Sequence, residues 1–368
     1  MANYNSVYQK ESVMKIDLAA IKHNIDIIRT KTSQKIIAVI KENGYGMGLE
    51  NEYRILKQNG LDYFAVTNAN EAFALREMGA TEPILLLSPY YDQAIVETLL
   101  KENITLMVNQ IRQLNLLSKI YQEKHLTAQV HIAVETGMGR YGFSHHALPD
   151  FRPYLDFITI EGCYSHFNGD TKEYTKQQAR FQVALEQLKA QNIHPPLTHL
   201  SNSAAVMTIG DCGCTAVRIG SAFLGKVSRG GGQLKRAVWV EAPISQIVTL
   251  PKGASVSYNA IFHLKRDSRL GLVRIGHGDG LFLSYADSKD PSLIHGILHL
   301  IREKLQPERY RLYGYIQNTK VPVVGRSGIA HIMLDLTDTD FTEKDTVTFN
   351  LNPLLVHPAV AKEFINPY

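Results

Sequence analysis

Apolar runs of strand length recur along the first two-thirds of the chain. They lie at Ile36–Ile40, Tyr63–Thr67, Ile84–Leu87, Thr105–Val108, Val130–Val134, Ile158–Ser165, Leu197–Leu200 and Ala216–Ile219. Each is four to eight residues long and bounded by turn formers, the mark of a buried strand. Between most of them the apolar residues change to helical spacing, as in Glu52–Gln58, Ala69–Met78, Gln93–Glu102 and Lys172–Gln191. Eight strand–helix units in succession predict an α/β fold, a (β/α)8 TIM-type barrel over residues 12–232, rather than an open doubly wound sheet. The pattern changes after Gly230-Gly231-Gly232. From there it reads as strands with tight turns: Trp239–Leu250, Ser255–Leu264, Gly271–Ile275, Leu281–Tyr285, Tyr310–Ile316 and Thr346–Asn350. These predict a mainly antiparallel β domain over residues 233–368, interrupted by the helical stretch Ser292–Leu305.

Composition narrows the function classes. The net charge of +4 is spread along the chain without a basic block, so nucleic-acid binding has no electrostatic footprint. No window reaches the roughly 18 apolar residues of a membrane span, and the N-terminus has no apolar leader. Three cysteines, Cys163, Cys212 and Cys214, are too few for a disulfide framework and wrongly spaced for a CxxC pair. Reduced structural cysteines and a cytoplasmic location are expected.

Chemistry in such a barrel belongs at the carboxyl ends of the strands. The first run ends in Lys41, followed by a glycine-rich loop bearing Tyr45. A lysine leaving a core strand is partly desolvated, which favours the neutral amine and suits a nucleophile or Schiff-base former. Later strand ends carry Arg140, His166, Asn202 with Ser203, and Arg218. Ser203, Gly220 and Ser221 suit the phosphate site that barrels build after their last two strands. A phosphate there and a lysine on the first strand together point to pyridoxal 5'-phosphate (PLP) as cofactor. His166 has no clustered partner of the kind a metal site needs, so no metal is expected.

Seven motifs then carry a resemblance. Ala-Val-Ile-Lys41-Glu-Asn-Gly-Tyr-Gly, Glu-Thr-Gly-Met-Gly-Arg140, Tyr-Ser-His166-Phe, Asn202-Ser-Ala-Ala, Val-Arg218-Ile-Gly, Val-Ser-Tyr258 and Val-Gly-Arg326 resemble the alanine racemase family, in family order and spacing. The resemblance implies a homodimer with shared active sites acting on a small amino acid. Lys41 would bind PLP and act as base on one face of the substrate, with Tyr258 from the partner subunit on the other. Arg218 would face the pyridine nitrogen, and His166 would assist Tyr258. Arg140 would lie near the cofactor's phenolic oxygen, and with Ile329 on the substrate side. Tyr45, Asn202, Ser203, Gly220 and Ser221 would hold the cofactor. The chain departs from the family mostly in the second domain. His277 stands in a Gly-His-Gly-Asp-Gly turn where a tyrosine is usual, and Gly328-Ile329-Ala330 replaces Cys-Met-Asp. Asn352-Pro353 replaces a Tyr-Glu pair, and Ala133 replaces a lysine before the Glu-Thr-Gly motif. Two other readings are a PLP carrier, which would resemble the barrel alone, and a decarboxylase, which would place glutamate rather than Arg218 at the ring nitrogen.

Overall fold

The computed structural model describes residues 12–283 and 312–367. They divide into two units, one of residues 18–237 and the other of residues 12–17 with those from 238 onward. The second unit begins with the strand β1 (Val13–Asp17), which the apolar pattern does not single out.

The barrel unit runs α1 (Leu18–Lys31), β2 (Lys35–Val39), the single turn α2 (Glu42–Tyr45), α3 (Leu49–Gln58), β3 (Phe64–Val66), α4 (Ala69–Glu77), β4 (Ile84–Leu86) and α5 (Gln93–Lys101). It continues with β5 (Ile104–Val108), α6 (Ile111–Lys124), β6 (Ala128–Glu135), the short β7 (Phe143–Ser144), β8 (Ile158–Tyr164), α7 (Tyr174–Ala190), β9 (Leu197–His199), α8 (Ser203–Ile209) and β10 (Ala216–Ile219). Eight of these strands form a parallel ring in the order β5-β4-β3-β2-β10-β9-β8-β6, closed by pairing of β5 with β6. The predicted barrel is therefore present.

Strand phase decides what the barrel encloses, because successive side chains point to opposite faces. Ile37, Tyr63, Ala65, Leu85 and Ala216 form one interior cluster, packed against Val39, Leu87 and Leu197. Met107, Ala133 and Tyr164 form a second. The opposite phase, including Ile36, Ala38, Phe64, Val66, Leu106 and Ile132, is buried as well. Burial on both faces explains why these strands read as continuous apolar runs. Ala133 is packing material in this second cluster.

The second unit contains β11 (Val238–Leu250), β12 (Ser255–Val256), β13 (Phe262–His263), β14 (Ser268–Val273), β15 (Tyr313–Ile316), β16 (Thr319–Val324), β17 (Ile332–Asp335), β18 (Thr346–Phe349) and β19 (Ala361–Ile365). Its main sheet has the order β14-β17-β16-β15-β18-β11-β1-β19 and is antiparallel except for β1 with β19. The expected strand Ser255–Leu264 is instead a two-stranded hairpin, β12 with β13. Positive φ at Ser257, Asn259 and Ala260 breaks it at its middle. Residues 281–283 are a turn, not the start of a strand. The expected helix Ser292–Leu305, and parts of the expected strands Leu281–Tyr285 and Tyr310–Ile316, lie outside the described residues. Among the described residues no helix is long and apolar enough to cross a membrane.

Candidate active site

Lys41 follows β2 in extended conformation, with φ −147° and ψ 162°. It therefore keeps the phase of Ile37 and Val39 and points to the barrel interior. Its Nζ lies 5.7 Å from the centre of the Tyr45 ring. What brings Tyr45 back to the lysine is α2, which is a left-handed turn: φ is +50° at Glu42, +54° at Asn43, +65° at Gly44 and +48° at Tyr45. Left-handed geometry costs a residue with a Cβ about 1–2 kcal/mol, so the turn must be held by its surroundings. The Tyr45 N–H donates to the Lys41 carbonyl at 2.8 Å, and the Gly48 N–H to that of Asn43 at 2.9 Å. The Leu49 N–H donates to Asn43 Oδ1 at 3.0 Å, and the Asn43 N–H to Glu71 Oε1 on α4 at 3.3 Å. Behind the turn, on α3, Glu52 is fully buried, and neither carboxyl oxygen has a hydrogen-bond partner among the described residues. Burial first, and the charge of Glu71 second, push its carboxyl well above the usual range.

Tyr45 is buried with its hydroxyl over Gly220, where a Cβ would come within 2.1 Å of the hydroxyl oxygen. Only glycine allows this approach. The Gly220 and Ala222 N–H groups donate to Ser203 Oγ at 3.1 and 3.4 Å, which ties the loop after β10 to the start of α8. Ser221 opens a 3-10 turn ending at Leu224. Asn202 caps α8 through its Oδ1, which accepts from the Ala205 N–H at 3.1 Å, and its Nδ2 reaches the Phe167 carbonyl at 3.4 Å. Tyr45, Ser203 and Gly220 thus meet at one place, while Asn202 is engaged in holding the strand ends.

Arg218 is buried at the end of β10. One guanidinium nitrogen donates to His199 Nδ1 at 2.5 Å and to the His199 carbonyl at 3.1 Å. The other donates to the Ser165 carbonyl at 2.6 Å and to His166 Nδ1 at 2.9 Å. Burial lowers its pKa to about 10, so it remains a cation at neutral pH. His166 is depressed to about 3, first by burial, then by Arg218, Arg140 and Lys41. It is therefore neutral, in contact with Arg218 and under the electrostatic influence of Arg140 and Lys41. The donor set fits PLP: an amine on one strand end, a fixed cation on another, and hydroxyls beside a glycine cradle. The polar groups buried below Arg218, His131, His199 and Tyr63, were missed in the sequence. Their signal was a polar residue at inward phase within or beside an apolar strand.

Arg140 is exposed on the loop after β6. Glu135 holds that loop by accepting from the N–H groups of Gly137, of Gly139 at 2.9 Å and of Arg140 at 3.2 Å. Burial alone would raise the Glu135 pKa, but these backbone donors outweigh it and keep the carboxylate low.

Tyr258 and Ile329 belong to the other unit and are 74% and 70% exposed. Tyr258 sits at the tip of the β12–β13 hairpin. Ser257 Oγ accepts from the Arg326 N–H and donates to the Arg326 carbonyl, both at 3.1 Å. The Val-Gly-Arg326 motif is thus a backbone clamp on the tyrosine. The Ile329 carbonyl accepts from the Gly278 N–H at 2.8 Å, and a Cβ at Gly276 would lie 2.1 Å from that carbonyl oxygen. The turn bearing His277 therefore packs directly on the segment bearing Ile329.

Two family models match the chain: "Alanine racemase, N-terminal domain" over residues 16–227 and "Alanine racemase, C-terminal domain" over residues 237–353. The chain is 31% identical over 341 residues to the alanine racemase of Methanococcus maripaludis, covering 88% of this chain and 84% of that one. It is 30% identical to the alanine racemase of Thermodesulfovibrio yellowstonii, covering 90% and 85%. Among solved structures, alanine racemase from Bacillus anthracis with bound L-Ala-P superposes with a TM-score of 0.79 at 25% identity, covering 98% of this chain and 96% of that one. The Bartonella henselae alanine racemase with covalently bound pyridoxal phosphate gives 0.80 at 23% identity, covering 97% and 100%, a likeness of fold.

Proposed function

Because the chain belongs to the alanine racemase family and is a racemase of that family, we propose that it interconverts L- and D-alanine with Lys41 and Tyr258 as its two bases. The observation that supports this reading is Lys41 beside Tyr45 in the cradle of Tyr45, Ser203 and Gly220, together with Arg218 hydrogen-bonded to a neutral His166. When bound, PLP supplies an electron sink that acidifies the α C–H of an amino acid joined to it.

Lys41 holds the cofactor and moves a proton on one face of the substrate Cα. Tyr258, exposed on its hairpin, enters the site of a second copy and moves a proton on the opposite face. Inversion needs one base on each side. Arg218 keeps its proton; it would face the ring nitrogen of bound PLP and leave it unprotonated, so that the ring would withdraw electrons less strongly. That limits the reaction to proton exchange and disfavours decarboxylation or transamination. His166 accepts from Arg218 at Nδ1, so its Nε2–H is left as a donor, available to a tyrosine oxygen. Arg140 binds the substrate carboxylate. His277 and Asn352, in place of the family's tyrosines, widen the polar range of the entrance, so serine is proposed as a secondary substrate. Widening a pocket changes discrimination by only about 1–3 kcal/mol per group, so alanine is retained. Three free cysteines are consistent with work in the cytoplasm.

Chiral chromatography after incubation with L-alanine tests the reaction, and borohydride reduction with peptide mapping is expected to place the pyridoxyl group on Lys41. Lys41→Ala and Tyr258→Phe are each expected to be inactive. Mixing them is expected to restore partial activity, because each heterodimer has one site with both bases. Absence of alanine inversion, an adduct on another lysine, or no recovery after proven subunit exchange would overturn the corresponding assignment.

A further inference from the structure

Below Arg218 a line of buried polar groups crosses the barrel interior. His199 Nδ1 meets the Arg218 guanidinium at 2.5 Å, and His199 Nε2 lies 2.8 Å from His131 Nδ1. His131 Nε2 in turn lies 3.2 Å from the Tyr63 hydroxyl. The four residues are buried and come from β10, β9, β6 and the residue preceding β3.

Donor inventory gives this line one direction. A guanidinium has N–H donors and no acceptor, so His199 must offer the lone pair of Nδ1. A neutral imidazole has one N–H, which for His199 is then at Nε2, donating to His131 Nδ1. The same reasoning leaves the His131 proton on Nε2, donating to the Tyr63 oxygen. Reversing any link would set two N–H groups against each other. Both rings are neutral: burial and then Arg218 lower His131 to about 3, and the same causes followed by His131 depress His199. At the far end, Thr105 Oγ1 donates to Glu161 Oε2 at 3.2 Å, and Glu161 acts electrostatically on Tyr63. The line thus begins at a cation that no carboxylate pairs with among the described residues and ends at the Tyr63 hydroxyl, on which the Glu161 carboxyl acts electrostatically.

The backbone is shaped for this line. The β6–β8 register shifts between Val130 and His131. A Cβ at Gly162 on β8 would lie 2.3 Å from His131 Nδ1, so glycine there makes room for the ring. An ordinary core histidine needs neither a strand irregularity nor a facing glycine.

We infer that His199, His131 and Tyr63 are positioning residues: a one-way hydrogen-bond relay that locks both imidazoles as Nε2–H tautomers and sets the plane of the Arg218 guanidinium at the cofactor's ring nitrogen. The last clause rests on the proposed PLP chemistry; the direction of the relay does not.

Neutron diffraction from deuterated crystals of the protein as purified reads the relay directly. Deuterium is expected on Nε2 and absent from Nδ1 of both His131 and His199. Deuterium on Nδ1 of either ring overturns the inference. A second measurement compares His131→Leu with His131→Gln, since glutamine can both accept and donate and leucine can do neither. The leucine variant is expected to lose about tenfold in kcat, with little change in KM, and to shift the cofactor's visible absorption band. Glutamine is expected to restore both, and identical behaviour of the two variants overturns the positioning role. A protein without PLP that shows the expected deuterium pattern would remove the functional reading and leave the relay. One loaded with PLP but carrying Nδ1-bound deuterium would do the reverse.

Discussion

Glu52 is a carboxyl whose two oxygens find no partner among the described residues, packed behind the turn that presents Lys41. In the unfolded chain it titrates near 4.3, like any glutamate. In the folded protein burial and then Glu71 raise its pKa, so the folded state holds the proton more tightly than the unfolded state does. Its contribution to stability is therefore full below the unfolded pKa and lost as pH rises through the window up to the folded pKa. Glu52→Gln keeps the shape and removes the titration. Chemical denaturation at a series of pH values is expected to show the variant gaining on the wild type as pH rises. The gap should widen by no more than about 1.4 kcal/mol per pH unit. A gap independent of pH would mean that the carboxyl is ionised with a compensating partner.

At the scale of elements, the β12–β13 hairpin illustrates how a short motif acts through backbone. Ser257 has φ +75° and bonds both the N–H and the carbonyl of Arg326. Ser257→Ala removes both bonds and leaves Tyr258 itself intact. Steady-state kinetics are expected to show about a tenfold fall in kcat, because the proposed base would be misplaced, with thermal unfolding little changed. An unchanged kcat would show that the hairpin is held by other contacts. The sequence revealed the barrel strands to within about two residues because both of their faces are buried. Ala216–Ile219 is reproduced residue for residue. Strands of the second unit were harder to see. Thr319–Val324 starts with two exposed residues and contains Pro322, and Val13–Asp17 is interrupted by Lys15. Lys41 and His166 stood out as polar groups directly after apolar runs, and Arg218 as a charged residue inside such a run. Tyr63, His131 and His199 did not, because only barrel closure aligns side chains from separate strands into one line.

At the scale of the whole molecule, the proposal that each site combines Lys41 of one copy with Tyr258 of another makes activity depend on association. Specific activity is expected to fall on dilution below the dimer dissociation constant while the cofactor's absorbance persists, with sedimentation reporting the oligomer. Specific activity that stays constant into the monomer range would place both bases in one chain. The pairing of β1 with β19 has a consequence of a different kind. Lys15 Nζ meets Glu363 Oε1 at 2.7 Å across 348 positions of sequence. During translation every barrel strand has been made once residue 219 emerges, and a ring of sequence neighbours can close while synthesis continues. One edge of β1 can pair with β11 soon afterwards, but its other edge must wait for β19. The first described strand of the chain thus depends on the last for a neighbour. Completion of that sheet is a late event, set by the time the ribosome takes to deliver residue 365 and by the slow search that such distant contacts entail.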